Sequence, residues 1–255
     1  MAKRILNLLP AELISLSKED FLAAVAGSEG RVLAAETIGV TQPLLSDVTN
    51  AEFAAAMGAD LLLLNMFDVW NPNILALPKT APEDTVRRVK ALTGRLIGIN
   101  LEPVDDALAA DNADTLWAMS RGRYATVENA VRAADMGVDL IVLTGNPGNG
   151  VRNEAIVKSL QAISQAVGDR IALAAGKMHA AGVVGEGGEH ILTREDVRAF
   201  AQAGADIILL PAPGTVPGIT TEYVRGLVSE AHSLGKLTIT SIGTSQEGAD
   251  VDTIR

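Results

Sequence analysis

The chain has 255 residues, of which 48% are hydrophobic and only 3% aromatic, with 21 basic against 31 acidic side chains and no cysteine. That composition can bury a large aliphatic core and rules out disorder. A net charge of −10 argues against nucleic acid or an anionic membrane as partner, and the missing thiols exclude disulfides and cysteine chemistry.

In chain order, residues 1–30 read as an N-terminal helical extension. The opening segment is too short in apolar residues for a secretory signal. Ser17 is placed to cap a helix ending near Gly27. Seven apolar runs follow, each announced by a glycine one to three residues upstream: Val32–Glu36, Leu61–Asn65, Leu96–Asn100, Leu140–Thr144, Ile171–Ala175, Ile207–Leu210 and Leu237–Ser241. The glycines, from Gly30 to Gly235, recur at a mean interval of about 34 residues. Three junctions share one pattern, Gly58-Ala59-Asp60, Gly137-Val138-Asp139 and Gly204-Ala205-Asp206. Such glycines suit the left-handed end of a helix, and the continuous Leu/Ile/Val runs suit strands covered on both faces. Between the runs, Thr80, Thr126, Asn153, Thr193 and Thr220 or Thr221 are candidate helix caps.

Strands and helices alternating at this interval predict a parallel sheet with right-handed crossovers. Two architectures satisfy that, a (β/α)8 barrel of the TIM type and an open doubly wound sheet. The segment after the first run, Glu36-Thr37-Ile38-Gly39-Val40, carries no dinucleotide fingerprint. The seven near-equal units favour the barrel, as a single domain over 1–255. An eighth unit is not evident. A C-terminal segment absent from this chain is the preferred explanation, with Arg4–Leu9 as the substitute strand otherwise. A barrel lacking its eighth unit leaves a sheet edge for a partner chain or the absent C-terminal segment to cover, and a homo-oligomer is expected. No run reaches membrane-spanning length, and a soluble, cytoplasmic protein is expected.

The strand-to-helix connections are long and the helix-to-strand ones short. In barrels the long side carries the site. Polar residues at the strand ends are therefore the candidates: Glu36, Asn65, Asp68, Asn100, Glu102, Thr144, Asn146, Lys177, His179, Ser241 and Thr244. Lys177 is the sharpest of them, as an imine-forming nucleophile or a clamp for an enolate. Glu102 or His179 is the candidate general base. Glu36, Asn65, Asn100, Thr144 and Asn146 are candidates for substrate binding. Gly145, Gly148 and Gly150, in a strand-to-helix loop, and Gly243 with Thr244 after the seventh run, are candidates for holding phosphate. Arg121-Gly122-Arg123-Tyr124 is placed to close over an anionic ligand, and Trp70 and Trp117 are candidates for a lid or an interface.

Several segments carry a family resemblance: Gly58–Pro72, Ile97-Gly98-Ile99-Asn100-Leu101, Gly137–Thr144 and Lys177-Met178-His179-Ala180. They resemble the BtpA-like barrels, which have an Asn at the third strand and a Lys-His-Ala at the fifth. The whole chain is also similar to bacterial barrels loosely labelled phosphoenolpyruvate phosphonomutase-like. It lacks the Asp-rich strand ends and the cysteine-bearing loop of that wider group.

The resulting expectation is a lyase or isomerase acting on a small phosphorylated or carboxylated carbonyl compound, an anionic metabolite, through enolate or enamine chemistry. No cofactor is required by this reading. The alternatives are a barrel enzyme using Mg²⁺ or Mn²⁺ held by Glu36, Glu102 and His179, and a non-catalytic ligand-binding or scaffold barrel.

Overall fold

The computed structural model of the chain describes residues 3–104, 119–145, 151–178, 185 and 187–242. Its seven strands are β1 (Ala34–Ile38), β2 (Leu61–Asn65), β3 (Leu96–Leu101), β4 (Leu140–Leu143), β5 (Ala172–Gly176), β6 (Ile207–Pro211) and β7 (Leu237–Ser241). Its helices are α1 (Pro10–Leu13), α2 (Lys18–Gly27), α3 (Asn50–Ala56), α4 (Thr85–Thr93), α5 (Val127–Met136), α6 (Asn153–Val167), α7 (Arg194–Ala203) and α8 (Thr221–Ser233). Residues 4–9 supply no strand; Ile5–Asn7 is a single 3₁₀ turn.

All seven expected strands are present, in one sheet ordered β1 to β7 without reversal. The resolved ladders β1–β2, β2–β3, β5–β6 and β6–β7 are parallel. A doubly wound sheet reverses its order part-way, whereas a barrel winds in one direction. The fold is therefore parallel α/β with TIM-type winding. Strands β3 to β6 are buried along their whole length, while β1 and β7, at the two ends of the order, are half-exposed.

The chain divides into two compact units. The first comprises Met1–Leu101, Met119–Val142 and Gln165–Ala172, and the second Glu102–Ala118, Leu143–Ser164 and Leu173–Arg255. In the first, the buried core draws on Leu62, Leu64, Ile97 and Ile99 of the strands with Val86, Val89, Ala130 and Met136 of the helices. In the second, the core draws on Ala174, Ala175, Ile208 and Leu210 with Ile156, Leu160, Val197 and Phe200. Small side chains permit close strand packing: a Cβ on Gly176 would collide with the Leu209 carbonyl.

The repeated Gly-x-Asp junctions have a common job. Asp60, Asp139 and Asp206 directly precede β2, β4 and β6. Each carboxylate accepts the backbone N–H of a residue at the start of the strand before it: Leu33 at 2.9 Å, Ile97 at 2.8 Å and Leu173 at 2.9 Å. Each aspartate's own N–H returns a bond to the same residue's carbonyl, at 2.9, 2.8 and 2.8 Å. The glycines two positions earlier have φ of 107°, 90° and 110°, a region that a side chain penalises. The chain turns there from helix to strand and presents the aspartate to its neighbour.

These clamps also explain strand boundaries. β1 begins two residues later than its apolar run because Leu33 is committed to Asp60. The Ile171 N–H bonds the Val167 carbonyl in the turn that follows α6, and β5 starts at Ala172. The helix caps at Ser17, Thr126, Thr193 and Thr220 accept the expected backbone bonds, and Thr49 adds a further capping box. Two expected caps differ. Thr80 donates to the Pro78 carbonyl instead, and a 3₁₀ turn at Pro82–Asp84 leads into α4. Asn153 is the first residue inside α6 rather than its cap.

Candidate functional site

In the first unit the C-terminal ends of β1, β2 and β3 bring together Glu36, Asn65 and Asn100. The register pairs Ile38 with Asn65 and Leu64 with Ile99, so the two asparagines follow side by side. Asn65 Nδ2 donates to Glu36 Oε1 at 2.8 Å, and Asn100 Nδ2 donates to Asn65 Oδ1 at 3.1 Å. The Met66 N–H also donates to Asn65 Oδ1, at 2.8 Å. Met66 holds a left-handed φ of 57°, which turns that N–H back onto the side chain before it. Asn100 is buried and Glu36 exposed, so the row runs from interior to surface.

The segment after β2 is tightly fixed. Asp68 Oδ1 accepts the N–H groups of Trp70 and Asn71 at 2.8 and 2.9 Å. Burial pushes the Asp68 carboxyl up, but the Ser120 hydroxyl, these two N–H groups and the Arg123 charge outweigh it, and its pKa lies below the ordinary value. Gly122 lies directly against this carboxylate; a Cβ there would overlap it. Trp70 Nε1 donates to Asn129 Oδ1 at 2.8 Å, and Asn129 Nδ2 donates in turn to the Arg121 and Tyr124 carbonyls. Arg132 stacks over the indole at 5.1 Å. The Arg121–Tyr124 loop is thereby anchored by Asp68 and Asn129. Trp70, although 43% exposed, works as a peg in its own unit.

In the second unit, Glu102, Thr144 and Lys177 stand at the ends of β3, β4 and β5, with 8%, 3% and 1% of their surface exposed. Lys177 heads the largest fully buried side chains of the described residues, and neither it nor Glu102 lacks an interaction partner. Gly145 is required by close approach, because a Cβ would come within 3.1 Å of the Glu102 carboxylate and 2.9 Å of Val151. Buried charged side chains are costly to keep and seldom occur without a task or a partner.

A family model described as "Domain of unknown function (DUF7916)" matches residues 6–255. The chain belongs to that family. No curated protein matches it. Among solved structures, the DUF7916 chain resembles 2,3-dimethylmalate lyase in its trigonal crystal form, described as a PEP mutase/isocitrate lyase superfamily member. The TM-score is 0.51 at 13% identity, covering 94% of this chain and 82% of that one. It also resembles the carboxyl transferase domain from Rhizobium etli pyruvate carboxylase, solved with oxamate and biotin. There the TM-score is 0.52 at 15% identity, covering 86% of this chain and 34% of that one. At such identities the likeness is one of fold.

Apart from Asp68 and from Ser241, the last residue of β7, the sequence candidates for the DUF7916 chain divide into three groups. Glu36, Asn65 and Asn100 meet in the first unit. Glu102, Thr144, Gly145 and Lys177 belong to the second. His179, Asn146, Gly148, Gly150, Gly243, Thr244 and Trp117 lie outside the described residues. Among the described residues no three His, Asp or Glu side chains gather as metal ligands. The amide row is itself a poor cation seat, since Asn65 Oδ1 already accepts two hydrogen bonds and one carboxylate remains. No helix among the described residues is long and apolar enough to cross a membrane.

Sequence reasoning missed the supporting roles of Asn129 and Arg132. Asn129 is 59 positions from Trp70, and only the packing of the Trp70 segment against α5 reveals it. The available signal was weak: a polar residue at the buried face of α5, where 3–4 spacing calls for an apolar one.

Proposed function

We propose that the chain is a lyase-type enzyme acting on a small carboxylated carbonyl compound. The observation that carries this reading is that Lys177 and Glu102, both in the second unit, are charged side chains each buried just after the C-terminal end of a strand. In folds wound this way, chemistry is assembled at those ends. The fold likeness to 2,3-dimethylmalate lyase and to a carboxyl transferase domain solved with oxamate and biotin supports a carboxylated substrate.

Lys177 is the carbonyl-activating group. As a nucleophile, its Nζ adds to the carbonyl carbon, and loss of water gives an iminium. The neighbouring carbon–carbon bond then breaks, its electron pair passing into the iminium to leave an enamine. Glu102 takes the proton from the departing fragment and returns it to the enamine carbon, and water releases the product. As a fixed cation, Lys177 stabilises an enolate formed by the same cleavage without a covalent bond. Thr144, buried just after β4, is the residue assigned here to orient the substrate.

Borohydride reduction in the presence of 2-oxo acids tests the role directly. An adduct on Lys177, found by mass spectrometry, establishes the covalent route. Turnover lost in Lys177→Ala without an adduct establishes the clamp. A Lys177→Ala variant that binds and converts 2-oxo acids as well as the parent chain overturns the reading.

A further inference from the structure

Among the described residues five hydroxyl-bearing side chains are buried, Ser28, Thr49, Thr85, Thr144 and Thr215. Four of them work inside the fold. Ser28 accepts the Ile5 N–H at 3.0 Å and donates to the Ala24 carbonyl at 2.8 Å. Thr49 accepts the Glu52 N–H at 3.1 Å, Thr85 donates to the Ala81 carbonyl at 3.4 Å, and Thr215 donates to the Ala212 carbonyl. Thr144 is the exception. It is as buried as Thr85, yet its hydroxyl makes no hydrogen bond with a described residue. Thr144 Oγ1 is not among the polar atoms sealed from solvent either. A valine would fill the same shape without burying an unmatched hydroxyl. The hydroxyl is retained against that penalty, on an atom that an incoming molecule can reach.

Its surroundings say which part of a substrate it meets. Gly145 follows Thr144 directly, and a Cβ on Gly145 would lie 3.1 Å from Glu102 Oε2. Thr144, Gly145 and Glu102 all belong to the second unit. A group held by the Thr144 hydroxyl is therefore beside the Glu102 carboxylate. Glu102 already has an interaction partner, and a carboxylate, with about four lone-pair sites, keeps that partner while accepting a further proton. In the cleavage proposed above, the departing carbon leaves as a carbonyl, so it carries a hydroxyl beforehand. The O–H proton passes to Glu102, the O–H electron pair closes the new C=O, and the carbon–carbon pair moves into the iminium. Negative charge gathers on that oxygen as the proton leaves, and a fixed O–H donor stabilises it.

We infer that Thr144 is the specificity-determining residue of the second-unit site, donating to the substrate hydroxyl oxygen that Glu102 deprotonates. The substrate is then a carbonyl compound with a hydroxyl on the β carbon, a class that rests on the lyase reading above. A site that hydrogen-bonds a hydroxyl discriminates against the analogue lacking it, because its polar atoms are left unmatched.

The test compares 4-hydroxybutanoate with butanoate, by ligand-observed NMR titration of the intact chain. Neither has a carbonyl that could form an imine, so the comparison does not depend on Lys177. The hydroxy acid is expected to bind about tenfold more tightly. Thr144→Val should abolish that preference and leave butanoate binding unchanged, and Thr144→Ser should preserve it. Thr144→Val should also melt no lower than the parent chain, since the hydroxyl has no structural task. Equal binding of the two acids by the parent chain, a preference that survives Thr144→Val, a Thr144→Val chain that melts well below the parent, or no binding of either acid overturns the inference. The lyase reading stands or falls separately, on the borohydride adduct and on turnover in Lys177→Ala.

Discussion

Asp139 shows how much one side chain can carry. Its Oδ1 receives Lys90 Nζ at 2.7 Å and its Oδ2 the Ile97 N–H, with both charged groups largely buried. Burial dominates and pushes the Asp139 carboxyl above its ordinary pKa, against the pull of Lys90 and the Ile97 N–H. The sign follows. A raised carboxyl favours the fold fully at acid pH and loses that contribution as the pH climbs through the folded value. Removing the carboxyl altogether does something different, because it leaves the Lys90 Nζ and the Ile97 N–H without this buried acceptor. Asp139→Ala should cost about 3–5 kcal/mol in chemical denaturation at pH 7. The double variant Lys90→Met with Asp139→Ala should recover part of that loss. A double variant as unstable as the single one would mean that the pairing is not what matters.

At the scale of the element, the segment from Asn65 to Asn71 is a loop by assignment and a rigid body by its bonds. Asp68 holds its turn, and Trp70 pins its far end to α5. Since the folded pKa of Asp68 lies below the ordinary value, its carboxylate stabilises the fold at neutral pH. That contribution vanishes as the pH falls below about 4 toward the folded value. Asp68→Asn should therefore lower the denaturant midpoint at pH 7 and converge with the parent chain on acidification. A constant gap across that range would remove the carboxylate from the account. Gly122→Ala meets the same group sterically and should cost about 1–3 kcal/mol. In Asp68→Ala the same glycine substitution should cost much less, since the two side chains then no longer overlap.

For the whole molecule, what the sequence disclosed and what it concealed divide along a physical line. The seven strands were legible because burial on both faces writes continuous apolar runs, and the junction glycines because left-handed backbone excludes other residues. Asn65 and Asn100 were legible as strand ends, but their common hydrogen-bond row needed the register. Asp60, Asp139 and Asp206 were visible as a repeat and silent as to purpose, because each acts on a residue 27 to 42 positions earlier. Their purpose gives the molecule a period of two strands: β2, β4 and β6 are each tied to the strand before. The repeat predicts additive behaviour. Asp60 clamps Leu33 in the first unit and Asp206 clamps Leu173 in the second, with no partner in common. Asp60→Ala and Asp206→Ala should each cost about 1–3 kcal/mol, the price of orphaning a backbone N–H. Combined, they should sum to within about 0.5 kcal/mol, as sites without shared partners do. Asp60→Asn, which retains an acceptor for Leu33, should cost distinctly less than Asp60→Ala. Equal losses for the asparagine and alanine variants would show that the Leu33 N–H is satisfied in some other way, and that the repeated aspartates serve the backbone turn rather than the strand pair.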